Sequence, residues 1–62
     1  MTTLEELKED LQYLNSKIER YWNHCINAES EGNIEKAMRY RKRISDFRKE
    51  RIEVRTLIEK YA

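Results

Sequence analysis

The segment Ala28-Glu29-Ser30-Glu31-Gly32-Asn33-Ile34-Glu35-Lys36-Ala37 holds the only glycine of a 62-residue chain that contains no proline. Glycine enters the left-handed backbone region without steric cost, and a helix C-terminus commonly turns through that region. Asn33 then offers a side-chain oxygen to the free N–H groups of a new helix. Glu35 places negative charge in that helix's positive first turn. The segment reads as one helix ending, a tight turn, and a second helix beginning.

Upstream of it, Leu4, Leu7, Leu11, Leu14, Ile18, Tyr21, Cys25 and Ala28 recur in alternating three- and four-residue steps. That is a period of about 3.5 residues, which a strand with its two-residue alternation cannot use. Thr3 and Glu6 form a capping-box pattern at the start, with Glu5 and Glu6 in the first turn. Downstream, Ala37, Tyr40, Ile44, Phe47, Arg51, Val54, Ile58 and Tyr61 keep the same period, and Arg51 is the one charged member. Folding the chain at Gly32 sets 28 against 37, 25 against 40, 21 against 44, 18 against 47, 14 against 51, 11 against 54, 7 against 58 and 4 against 61. Two ridges found separately mesh in one register. The expected fold is all-α: an antiparallel two-helix hairpin, helices about 3–30 and 34–61, forming a single domain over 1–62. Small residues, Ala28 and Ala37, face each other beside the turn. Lys17 with Glu50, and Trp22 with Arg41 in a cation–π contact, are the expected flanking pairs.

A chain of this length buries only about 60% of its unfolded surface, so such domains usually need a disulfide, a metal or a partner. Cys25 is the only cysteine and His24 the only histidine. An internal disulfide is excluded, and a closed zinc site would need other ligands. Self-association becomes the expectation, and apolar residues off the seam supply the surface: Trp22, Ile26, Ile34, Met38, Ile52 and Leu57, with Tyr13 also outside it. Two hairpins packed through them make a four-helix bundle. Arg51, opposite Leu14, either extends its head to water or meets a carboxylate of the second copy.

Catalytic, metal and cofactor residues are expected to be none. His24 and Cys25 are sequential, hence about 100° apart on a helix, and cannot act on one another. Glu5, Glu6, Glu9 and Asp10 compensate the helix dipole. No glycine-rich loop is present to hold phosphate. The chain lacks a run of about 20 apolar residues and a basic-then-apolar leader, which points to a reduced, cytoplasmic setting without membrane contact.

Charge is unevenly placed. Residues 1–31 carry three Lys and Arg against seven Asp and Glu, and residues 32–62 carry ten against five. Arg41, Arg48 and Arg55 recur every seven residues, and Arg39, Lys42 and Arg43 thicken the basic stretch. Such a stripe suits either an acidic protein partner or a nucleic acid backbone. The leading expectation is a non-enzymatic, self-associating regulatory adaptor that binds a protein target, with a nucleic-acid-binding bundle as the alternative.

The stretch Ile34-Glu35-Lys36-Ala37-Met38-Arg39-Tyr40-Arg41-Lys42-Arg43-Ile44, ending at Phe47, resembles the UVR motif over about residues 25–48. Ile34, Glu35, Ala37, Arg41, Ile44 and Phe47 match it in identity or character, whereas Met38 and Lys42 depart from it. Gly32, Ile34 and Ala37 are also similar to a tetratricopeptide turn. Both resemblances imply a helical hairpin that docks proteins, as in excision-repair proteins and chaperone adaptors. In style the chain is similar to small phage and plasmid regulatory hairpins.

Overall fold

A computed structural model describes residues 3–61, and the outermost positions 1, 2 and 62 of the expected domain lie outside the described residues. Two helices account for nearly all of them: α1, Leu4–Ser30, and α2, Ile34–Glu59. They fold back on each other as an antiparallel hairpin measuring 45 × 17 × 14 Å. Its radius of gyration is 14.2 Å, against about 11 Å for a spherical domain of this length. The molecule is therefore a short rod two helices wide, and each helix has only one neighbour to bury against.

The start of α1 follows from Thr3, whose hydroxyl accepts from the Glu6 N–H at 3.2 Å. The return bond from Glu6 to the Thr3 N–H is not formed, so half of the capping box is present. At the other end Asn33 N–H donates to the Ala28 carbonyl (2.9 Å) and Gly32 N–H to that of Glu29 (3.0 Å). Those two bonds make a Schellman turn, and Gly32 supplies its left-handed residue with φ +79°. Asn33 then caps α2, its side-chain oxygen accepting from the Lys36 N–H at 3.2 Å.

Between the helices the two ridges interlock. Leu7, Leu14, Ile18, Cys25 and Ala28 of α1 are buried, as are Ala37 and Ile44 of α2. Leu4, Leu11, Tyr21, Tyr40, Phe47, Arg51, Val54 and Ile58 are half-buried beside them. Fifteen of the sixteen expected seam positions thus lose solvent. The small side chains near the turn let the backbones approach closely enough for the Cys25 thiol to reach the Ala37 carbonyl oxygen at 3.6 Å.

Tyr61 is the exception, 52% exposed. Helix α2 ends at Glu59, two residues short of the expected boundary. The Lys60 and Tyr61 N–H groups bond to carbonyls three residues back, at 3.2 and 3.0 Å. This tighter winding advances each side chain by about 120° in place of 100°, which swings Tyr61 off the seam. The connected core, Ile18, Cys25, Ala28, Ala37 and Ile44, sits in the hinge half. In the open half buried Leu7 and Leu14 pack beside partly buried Leu4, Leu11, Arg51, Val54 and Ile58.

Candidate interaction surfaces

A two-helix rod has two narrow edges and two broad faces, and the heptad phase decides which residues each face carries. Trp22, Arg41, Ser45, Arg48 and Ile52 line one shallow hollow of about 350 Å³. Glu29, Ile34, Met38 and Arg41 line a second of about 390 Å³ that shares Arg41 with it. Ile26 lies one helical turn from Trp22 on the same side. Five of the six residues expected for self-association therefore share one broad face, and all five are 40–63% exposed. Leu57 does not belong to it. It lines a hollow with Leu7, Lys60 and Tyr61, on the opposite face, because it falls seven residues after Glu50 and on the other flank of the seam.

The expected stripe Arg41, Arg48 and Arg55 runs along the apolar face. Among the described residues its first member alone forms an ion pair: Arg41 Nη2 pairs with Glu29 Oε1, and both side chains are exposed. The guanidinium beside it holds the Glu29 carboxyl below its ordinary value, the hydrogen bond being the larger cause and the opposite charge the next. The pair displaces the expected cation–π contact, since Arg41 lies in the same hollow as Trp22 but spends its charge on Glu29. Lys17 likewise does not reach Glu50 and sits over the Tyr13 ring, 5.5 Å from its centroid. Glu29 also accepts from the Cys25 thiol at 3.6 Å, and the thiol is buried.

Arg51 resolves its two alternatives in a third way. Its Nη1 donates to the Asn15 side-chain oxygen at 3.1 Å, so a neutral amide of the same chain meets it where a carboxylate was sought. Its Nε is buried and meets no acceptor among the described residues.

On the opposite face the hinge half is aromatic and basic. His24 stacks on Tyr40 (centroids 5.3 Å, interplanar 24°) and meets the edge of Tyr21 at 6.0 Å. Tyr21 in turn lies 5.8 Å from Tyr40 and stacks on Phe47 at 5.4 Å. Tyr21 and Tyr40 floor a hollow of about 300 Å³ rimmed by Lys36, Arg39 and Arg43. Arg39 and Arg43 thus lie across the seam from Arg41 and Arg48, and Lys42 lies on the outer edge of α2 between the two sets. The basic stretch is split between two faces. The heptad spacing alone does not gather this ring cluster, although in the folded register 21, 24, 40 and 47 fall within about two helical turns of one another.

Among the described residues no group of three or more His, Cys, Asp or Glu is placed to hold a metal ion. No helix is long and apolar enough to cross a membrane. The chain matches no family model, no curated protein and no solved structure.

Proposed function

We propose that this hairpin is a non-enzymatic protein-interaction module that self-associates and presents its charged surface to a protein target. The observation that carries this reading is the clustering of Trp22, Ile26, Ile34, Met38 and Ile52 on one face. Isolated exposed apolar side chains are ordinary, whereas five on one face of so thin a molecule leave a surface that gains from being covered. The face, 45 by 17 Å, is about the size of one side of a standard interface, about 800 Å² per partner. Two copies laid face to face make a four-helix bundle, with helix axes about 20° apart and a core twice as thick.

Self-association also answers the energetic problem of the fold. Only seven side chains are buried among the described residues, and a domain this small is marginal without a staple. The likeness of residues 25–48 to UVR-type hairpins supports a docking role for the same region. A reduced, cytoplasmic setting suits a lone buried thiol.

Analytical ultracentrifugation over a concentration series tests the proposal. The wild-type chain sediments at twice its monomer mass at micromolar concentration, and Trp22→Glu with Met38→Glu shifts it to the monomer. A well-folded wild-type monomer across the series rejects it.

A further inference from the structure

We infer that the aromatic, cation-rimmed hollow at the hinge end, lined by Tyr21 and Tyr40 with Lys36, Arg39 and Arg43 and flanked by the His24 ring stacked on Tyr40, binds single-stranded nucleic acid. Proteins that hold single strands combine a cationic track for the backbone with rings on which bases stack. Both parts occur here within one hollow of about 300 Å³. The imidazole of His24 is exposed and held flat against Tyr40, so its ring plane is fixed before any base arrives. Tyr21 and Phe47 back the array from within the seam. Preordered rings reduce the conformational entropy lost on binding.

The cations have the matching geometry. Lys36, Arg39 and Arg43 follow one another at three- and four-residue steps on α2, so they form a row about 10 Å long. That length spans about three phosphates at the roughly 3.4 Å axial rise of a stacked strand. Among the described residues none of the three lies within ion-pair distance of a carboxylate, the one such pair being Arg41 with Glu29 on the other face. Their charge is therefore available to an incoming anion. In the open half of the same face Asp10 and Glu50 line the hollow, with Lys17 over the Tyr13 ring beside them, so the continuous row of cations beside stacked rings belongs to the hinge end. An acidic peptide would use the cations and leave the rings idle. A duplex would keep its bases stacked away from them. A single strand uses both.

The site lies across the seam from the apolar face, so it stays open when two hairpins associate, and it does not depend on that association. Fluorescence anisotropy of a labelled oligothymidine with the full chain, at low and moderate salt, tests it beside a duplex of equal length. The single strand binds and the duplex binds at least tenfold more weakly. Affinity falls with salt at a log–log slope of about −2, as three phosphate contacts on a single strand require. Lys36→Glu with Arg39→Glu and Arg43→Glu weakens binding at least tenfold, His24→Ala weakens it about tenfold, and Arg48→Glu with Arg55→Glu changes it less than twofold. Circular dichroism confirms that each variant stays helical, and the milder Arg39→Gln with Arg43→Gln repeats the comparison if the triple variant does not. Absence of wild-type binding at low salt overturns the inference. So does loss through Arg48 and Arg55 in place of the hinge-end row. A change in sedimented mass of the triple variant without any oligonucleotide binding also overturns it, and assigns the row to the acidic end of a second copy.

Discussion

Four residues carry more of the molecule's behaviour than their number suggests. Gly32 sits at φ +79°, and a Cβ built there meets nothing within 4 Å, so the demand for glycine is one of backbone conformation alone. Gly32→Ala is expected to lower stability by about 1 kcal/mol, with Gly32→Asn milder, as read by urea unfolding. Ile44, only 2% exposed, is the larger of the two buried side chains of α2. Ile44→Ala should cost about 2–5 kcal/mol, a large part of the roughly 3–9 kcal/mol available to a chain this size. Extensive loss of helicity at 25 °C is the expected result. Retention of the wild-type melting curve would contradict the assigned core.

Arg51 behaves in the opposite sense. Its Nε is buried without an acceptor among the described residues, and a stranded donor costs about 1–3 kcal/mol. Arg51→Leu, facing Leu14, is expected to raise the midpoint of thermal unfolding. A fall in that midpoint would show that another copy satisfies the guanidinium. Glu29 provides the pH-dependent term. Its carboxyl titrates below its ordinary 4.5 in the folded chain because Arg41 holds the charged form. The stabilisation is therefore present above that ordinary value and is lost as pH falls through the lowered folded one. Both partners are exposed, so the effect is small and screened by salt. Glu29→Gln should melt slightly below wild type at neutral pH and together with it in acid.

At the scale of the helices, the sequence was legible where a period governs and opaque where a side chain chooses among neighbours. The three-and-four spacing from Leu4 to Ala28 and from Ala37 to Ile58 placed both ridges, because burial of one stripe is the only way these helices can satisfy their apolar residues. The turn was legible because Gly32 and Asn33 each have one structural use in that context. Asn33→Ala should cost about 1 kcal/mol by removing the cap on Lys36 N–H, measurable in the same urea series. The end of α2 was not legible, since nothing after Ile58 stops the period and the three-residue hydrogen bonds that close the helix leave no mark in the sequence. Arg41 was within reach of both Trp22 and Glu29, and the choice of the charged hydrogen bond required coordinates. Leu57 lies off the seam as its position in the heptad requires, on the flank opposite that of Trp22 and Ile52.

The whole molecule is a rod with unlike faces, one carrying the exposed apolar side chains beside Arg41 and Arg48, the other carrying the basic–aromatic hollow at its hinge end. That arrangement, more than any single motif, is the basis for reading it as a binding module. It rests in turn on the chain folding back at Gly32, since an unbroken helix would scatter Trp22, Met38 and Ile52 along its length. The most direct test is a pulsed dipolar electron resonance distance between spin labels at Gln12 and Glu53, both exposed, in a Cys25→Ala background diluted with unlabelled chain. The folded hairpin predicts a single narrow distribution near about 20 Å, the interaxial spacing plus the two label arms. A distribution near about 60 Å, the rise of one continuous helix between those positions, would contradict it.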